Sequence, residues 1–253
     1  MTERFAGRVA LITGAGSGIG RAVALRLAGE GACVLGVDID RERLGETQGL
    51  ASGSGTGTVV VRQADLGEPA ECAAAVGACV DEFGRLDVLG NVAGIYIGGH
   101  ATDLTVEQYR RVMSINLDAC VFLAQAAIPH LLAGDGGTIV NIASNAGLQG
   151  IPYSLAYSVS KGGVVQLTRA LAVEYLKTTL RVNAIAPAGT NTNLSAAVRF
   201  PADVDPDLAR RMAGLRGMAE PDEVAALFAF LASDEARSIT GAIYTLDNGL
   251  TAS

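Results

Sequence analysis

The stretch Thr13-Gly14-Ala15-Gly16-Ser17-Gly18-Ile19-Gly20 follows a short apolar run, Val9-Ala10-Leu11-Ile12, and precedes an amphipathic run from Arg21 to Glu30. The first run reads as a buried strand and the second as a helix, so the octapeptide reads as the glycine-rich turn between them. A strand, such a turn and a helix, in that order, make a phosphate-binding element. The helix start offers unpaired N–H groups and a partial positive charge to a pyrophosphate. Gly14 permits a sharp turn off the strand, Gly18 leaves the backbone open to a phosphate, and Gly20 lets the helix pack closely. The glycines are spaced by four and two residues, not by the two and three of G-x-G-x-x-G. Glycine also marks plain turns, so the loop decides the fold only together with its surroundings.

Those surroundings suit one large α/β domain. The chain has 253 residues, 49% apolar and 18% charged, with 32 glycines and 7 prolines, enough for a sizeable core and many tight strand–helix turns. A net charge of −7 argues against nucleic acid or an anionic membrane as partner. The N-terminus, with Glu3, Arg4 and Arg8, does not read as a signal peptide. Apolar runs such as Val224 to Ala232 fall far short of a membrane span. Cys33, Cys72, Cys79 and Cys120 are scattered and, with His100 and His130, form no zinc pattern. They read as small buried hydrophobes in a reducing cytoplasm, and no metal is expected.

Strands follow at Cys33–Val37, Thr58–Arg62, Asp87–Leu89 and Gly137–Ile142, with a last one over Ile239–Gly241 and Ile243–Leu246. Helices are expected over Arg41–Leu50, Pro69–Phe83, Val106–Leu132, within Tyr153–Leu176, and over Glu220–Ala232, where Pro221 suits a first turn. Ala51 to Gly57 reads as a surface loop. Asp38 ends the second strand 18 residues after Gly20, where a dinucleotide fold places the acid that holds the adenosine ribose. It would repel a 2′-phosphate, and the uncharged Ser17 and Ile39 would not welcome one, so the sequence favours NAD over NADP. Alternatively Asp38 ends the strand or caps the next helix, as Asp40 is placed to do. Asp65, beside Leu66, suits either an adenine amino group or a helix N-cap. The small residues of Asn91-Val92-Ala93-Gly94 allow a cofactor against the backbone. Asn116 falls within a helix among apolar neighbours, as a satisfied structural amide or as a kink holding a water near the site. Ser144 lies beyond a strand's carboxyl end, where ligands bind in open α/β sheets.

Tyr157 and Lys161 are four apart and share a helix face. An unperturbed tyrosine, with pKa about 10, is ionised only about once in a thousand at pH 7, and lowering that by two to three units corresponds to about 3–4 kcal/mol. The Lys161 ammonium and a positively charged nicotinamide ring together would supply it.

Thr13-Gly-x-x-x-Gly-Ile-Gly20, Asp38, Asp65-Leu66, Asn91-x-Ala-Gly94, Asn116, Ser144, Tyr157-x-x-x-Lys161 and Asn183-Ala184-Ile185-Ala186-Pro187 jointly resemble the short-chain dehydrogenase/reductase family across essentially the whole chain. The resemblance implies a single Rossmann-like, doubly wound domain over residues 1–253, with a seven-stranded parallel sheet flanked by helices, assembled as a homotetramer or homodimer. It implies Tyr157 as general acid/base, Ser144 as the donor that polarises the carbonyl, Lys161 on the nicotinamide ribose, and Asn116 in a water-mediated proton relay. It extends the NAD site to Gly14, Ser17, Gly18, Ile19, Asp38, Asp65, Leu66, Asn91, Ala93, Gly94, Tyr157, Lys161, Pro187 and Thr192. Two departures stand out: Pro187-Ala188 where the family usually has Pro-Gly, and Asn91-Val92 where it has a doubled asparagine. Residues 190–215, with Phe200, Pro201, Pro206 and Arg210-Arg211, correspond to a substrate-covering lid.

The expected activity is NAD-dependent interconversion of a secondary alcohol and its ketone. The alternatives are a 3-oxoacyl thioester reductase, on acyl carrier protein or coenzyme A, and a non-catalytic NAD-binding scaffold. Leu131 to Gly137, with Asp135 and no Lys or Arg, disfavours an acidic carrier, and the intact Ser144, Tyr157 and Lys161 disfavour the scaffold. Tyr96, Ile97, His100, Leu148, Ile151 and Tyr153 suggest a partly apolar small-molecule substrate, with His100 either orienting it or simply an exposed loop residue.

Overall fold

A computed structural model describes residues 3–52, 56–134, 136–199, 201–210, 212, 214 and 216–252. Parts of the expected surface loop (Gly53 to Gly55), the carrier-side loop (Asp135) and the lid (Phe200, Arg211, Ala213 and Leu215) lie outside the described residues. The elements in chain order are β1 (Val9–Thr13), α1 (Gly18–Gly29), β2 (Cys33–Asp38), α2 (Arg41–Ala51), β3 (Thr58–Gln63), α3 (Pro69–Phe83) and β4 (Val88–Asn91). There follow α4 (Val106–Met113), a π-turn (Ser114–Asp118), α5 (Ala119–Leu132), β5 (Thr138–Ile142), α6 (Leu155–Glu174) and β6 (Arg181–Pro187). The short helices α7 (Asn193–Ala196) and α8 (Pro206–Arg210), then α9 (Pro221–Ala232) and β7 (Ile243–Leu246), complete the order.

All seven strands are parallel, in the order β3-β2-β1-β4-β5-β6-β7. A sheet buried on both faces calls for apolar runs rather than alternation, and β1 and β5 are buried at every position. One face is covered by α1 and α9, through Val23, Leu27, Val224 and Phe228, with Leu44 of α2. The other is covered by α3 and α5, through Val76, Cys79, Leu123 and Leu131, and by Val164 and Val165 of α6. The strand order reverses between β1 and β4, which opens a crevice at their carboxyl ends.

Several expectations need correction. Helix α1 starts at Gly18, inside the glycine run, and ends at Gly29. Tyr153 precedes α6 with φ of +59°. Residues 239–241 are not strand: Gly241 has φ of +75°, and the Thr240 hydroxyl accepts the Val182 N–H at 3.1 Å. Asn116 interrupts the expected single helix as part of the π-turn. The run Val106–Leu132 is long and apolar enough to cross a membrane by length and composition alone, a test that a buried core helix also passes. Here Ala119, Leu123, Ala127 and Leu131 of that run are packed in the core.

Candidate active site

Gly14, with φ of +68°, turns the chain off β1, and a Cβ there would lie 3.0 Å from the Ala93 backbone. A Cβ on Gly20 would lie 2.0 Å from the Gly14 carbonyl oxygen, so the start of α1 closes on its own loop rather than on the strand. Ser17, the N-cap residue of α1, makes no side-chain cap. The helix start and its partial positive charge therefore face the cleft lined by Ser17, Gly18 and Ile19. The loop is braced from outside by two residues the sequence reading did not single out. Arg21 donates to the Gly16 carbonyl and to Thr47 Oγ1, and Thr47 donates to the Ala15 carbonyl at 2.8 Å. Thr13, also not singled out beyond opening the motif, accepts the Val92 and Ala93 N–H groups at 2.9 and 3.0 Å and donates to Gly90 O. It ties the end of β1 to that of β4.

Asp38 is the last residue of β2, as one of its two readings had it, but it does not cap α2. Asp40 caps α2, accepting the Arg43 N–H, while Asp38 accepts the Gly16 N–H at 2.9 Å and the Asp40 N–H at 3.1 Å. Asp38 thus lies against the glycine loop and lines the cleft with Ile39. Asp65 is not the helix cap either, since α3 has Glu68 at that position. Its carboxylate accepts the Gly67 N–H and is held by Arg111. Burial acts to raise Asp65, but these two partners outweigh it and leave the carboxyl below its ordinary value. The cleft, about 260 Å³, is lined by Gly14, Ser17, Gly18, Ile19, Asp38, Asp65, Leu66, Ala93, Gly94, Arg111 and Thr192. A second cavity of about 100 Å³ shares Ile19, Val92, Gly94, Thr192 and Leu194 with it and adds Ser144, Tyr157, Lys161, Pro187 and Ala188. Glycine loop, uncapped helix start and carboxylate fit a nicotinamide dinucleotide along these joined cavities.

Asn91 and Asn116 stand behind this wall. Asn91 donates to Asn141 Oδ1 at 2.9 Å and is 2% exposed. Asn116 accepts the Ile95 N–H and donates to Ile95 O and Ser160 Oγ at 2.9 and 3.1 Å. Its amide is satisfied within the protein. Ser160 in turn donates to Tyr157 O at 2.7 Å, so Asn116 braces the helix turn that carries the tyrosine.

Lys161 is buried, and its Nζ donates to Ile142 O at 2.7 Å while lying 5.8 Å from the centre of the Tyr157 ring. The sequence reading expects the ammonium and a positively charged nicotinamide ring together to hold the phenol below its ordinary value. Among the protein's own groups burial is the largest influence: it raises Tyr157 and lowers Lys161. The Ser144 hydroxyl contacts Asn145 Oδ1 and accepts the Ala146 N–H, both at 3.1 Å. Ala188 needs no glycine: its φ is not positive, and its N–H extends the β6–β7 ladder to Leu246 O. Thr192 caps α7 and packs its methyl group beside Gly18.

His100 Nε2 lies 2.9 Å from Asp203 Oδ1, its ring meets Tyr153 edge-on at 5.3 Å, and the Asp205 N–H donates to the Tyr153 hydroxyl at 3.0 Å. His100 and Tyr153 therefore tie the described part of residues 190–215 to the segments after β4 and before α6. The bond to Asp203 raises His100 above 6.5, and the bond to His100 lowers Asp203 below 3.8. A raised histidine lends its stabilisation fully below the unfolded value and loses it as pH rises through the raised one. A lowered aspartate lends its own above the unfolded value and loses it as pH falls through the lowered one. The charged contact thus holds between the two lowered and raised values. We predict that the His100 ring, followed by NMR, titrates above the free value and returns toward it in Asp203→Asn. An unchanged His100 titration in that variant would remove the tie.

A family model described as enoyl-(acyl carrier protein) reductase matches residues 14–251. Meso-2,3-butanediol dehydrogenase of Serratia marcescens is 36% identical over 250 residues, 99% of this chain and 97% of that one. The crystal structure of a short chain dehydrogenase from Mycobacterium paratuberculosis bound to NAD is similar with a TM-score of 0.91 at 32% identity, over 99% of this chain and 100% of that one. One from Burkholderia cenocepacia in complex with NADP has a TM-score of 0.88 at 33% identity, over 98% and 99%.

Proposed function

This chain belongs to the short-chain dehydrogenase/reductase family, as an oxidoreductase of alcohols or ketones with a nicotinamide cofactor, and from that premise we propose that it interconverts a secondary alcohol and its ketone with NAD, using Tyr157 as general acid/base. The carrying observation is the convergence of Ser144, Tyr157 and Lys161 on one cavity continuous with the dinucleotide cleft. Gly14, Ser17, Gly18 and Ile19 would hold the pyrophosphate and Asp38 a ribose. Asp65 and Leu66 would lie at the base, Ala93, Gly94, Pro187 and Thr192 along the remaining wall, with Asn91 behind. The cofactor supplies the hydride acceptor or donor. The chain's own residues handle the proton. Tyr157 takes the hydroxyl proton in oxidation and returns it in reduction, Ser144 donates to the substrate oxygen, and Lys161 holds the nicotinamide ribose and favours the phenolate. Asn116 supports this through the turn it braces, on a relay completed by water. Formation of NADH across a panel of polyols, sugars, steroids, hydroxyacids and hydroxyacyl thioesters tests the reading. Turnover of the thioesters alone would transfer it to the 3-oxoacyl thioester reductase. No turnover at all would leave a binding scaffold.

NAD rather than NADP is supported by the Asp38 carboxylate on the glycine loop and by the uncharged Ser17 and Ile39. Arg43, which packs against the same loop, pairs with Asp40 at 3.2 Å. Asp38→Ser together with Ile39→Arg is expected to shift kcat/KM toward NADP, through lost repulsion and a charge-assisted contact. A wild-type preference for NADP would overturn the assignment. The cytoplasmic setting is supported by four cysteines that form no disulfide. Burial pushes Cys79 up to about 12 and Cys72 and Cys120 to about 11, which makes inert thiols. A homotetramer or homodimer is supported by Val121 of α5 and Val159 and Val173 of α6, apolar and exposed on the single chain. A monomer mass by light scattering at micromolar concentration would refute that assembly.

A further inference from the structure

The chain between β4 and α4 meets the start of α6, and one aromatic side chain bridges the two beside Tyr157. Tyr96 carries its hydroxyl 2.7 Å from Ser154 Oγ and sets its ring edge-on against that of Tyr157, with centroids 5.2 Å apart and planes at 60°. Ser154, the N-cap residue of α6, is 1% exposed, and its side chain caps no helix N–H. Its one hydroxyl hydrogen goes to Pro152 O at 3.1 Å, which leaves its oxygen to accept from Tyr96. The backbone repeats the link, since the Gly99 N–H donates to Tyr153 O at 2.9 Å. Residue 98 must be small, because a Cβ there would lie 2.8 Å from both Cε1 and the hydroxyl oxygen of Tyr96.

This seat decides what Tyr96 can do. Its O–H is engaged by a buried serine, so it is not a second proton carrier, and what it presents to Tyr157 is the ring. Among the described residues, the polar and titratable groups facing Tyr157 are Lys161 from its own helix, 5.8 Å from the ring centre, Ser144 from beyond β5, and Tyr96. Lys161 and Ser144 act on the phenol oxygen. Tyr96 acts on the ring, and an edge-on aromatic pair prefers one mutual orientation. A phenol ring turns on two soft torsions, so a fixed partner at its edge narrows where the oxygen sits. Burial, the largest influence on Tyr157, raises it, and Tyr96 acts in the same direction.

We infer that Tyr96, anchored on Ser154 and seated over Gly98, is a positioning residue that holds the Tyr157 ring in its proton-transfer orientation and shields it from water. This rests on the acid/base reading of Tyr157 proposed above. Ultraviolet titration of the cofactor-free protein, less the same titration in the Tyr157→Phe background, isolates Tyr157 among the six tyrosines. Tyr96→Leu should move that titration to lower pH, because water reaches the phenol. In turnover it should lower kcat by roughly 10- to 100-fold, as a misplaced group does, while substrate KM and NADH affinity hold. Tyr96→Phe loses the anchor and keeps the ring, so it should recover most of that kcat. Gly98→Ala leaves every tyrosine in place and crowds the seated ring; it should lower kcat severalfold, whether or not the leucine variant folds. An unmoved Tyr157 titration in Tyr96→Leu, a raised KM with unchanged kcat, or wild-type kcat in Gly98→Ala would overturn the inference. Near wild-type kcat in Tyr157→Phe would instead overturn the acid/base reading and leave the titration result standing.

Discussion

In the Tyr157→Phe protein kcat is expected to fall by at least the roughly 10²–10⁴-fold attributed to a general acid/base, while NADH binding barely changes. The substitution removes one oxygen and keeps the ring. Tyr96 packs edge-on against that ring with centroids 5.2 Å apart, a contact phenylalanine preserves. The interaction of the phenol with Ser144, which acts to lower Tyr157, is lost, while the Ser144 hydroxyl keeps its partners Asn145 and Ala146. Loss of turnover with intact NADH fluorescence therefore isolates the proton step. Oxidation needs the phenolate and should speed up with rising pH, whereas ketone reduction needs the phenol and should slow down. Any apparent pKa belongs to the coupled Tyr157–Lys161 pair. Near wild-type kcat on a good substrate would remove Tyr157 from the mechanism.

Lys161→Met is expected to damage both steps, with kcat falling on a scale like that of the tyrosine variant and NADH binding weakening measurably. Methionine follows the lysine stem but has no ammonium. Burial already works against ionisation of Tyr157 in the free chain, so loss of the neighbouring positive charge leaves the phenol with less to favour its anion. Stability should change little by comparison. The Ile142 carbonyl loses the Nζ donor, but a buried charge with a heavy desolvation cost disappears with it. Chemical denaturation alongside kinetics measures both. A variant with normal NADH affinity would strip Lys161 of its ribose role and leave only its charge.

What could be read from the sequence divides by range. The glycine loop, Asp38, Ser144 and the Tyr157–Lys161 pair declare themselves within a few residues of a strand end or along one helix, so spacing alone places them. Strand β6 escaped the apolar pattern because Asn183 interrupts it. In the fold that amide donates to Ile239 O and accepts the Ala242 N–H, which makes a buried polar residue tolerable there. Contacts such as His100–Asp203, 103 residues apart, and Arg111–Asp65, 46 apart, leave no local signature. The direction of the Tyr157 shift was likewise beyond the sequence, because burial is a property of the assembled cavity.

The pairing of β1 with β4 sets a timetable for synthesis. Seventy-four residues separate Thr13 from Val88, yet these strands form the middle of the sheet and Thr13 stitches their ends together. On the ribosome, β1, β2 and β3 can assemble early through successive short crossovers. The crevice has only one wall until β4 emerges and closes a long loop, an event whose entropy must be met before any contact rewards it. A nascent chain stalled before Val88 therefore carries the complete glycine motif and no crevice for a nucleotide. Nucleotide added during refolding would trap the product of that closure without hastening it, slowing unfolding while leaving the folding rate unchanged.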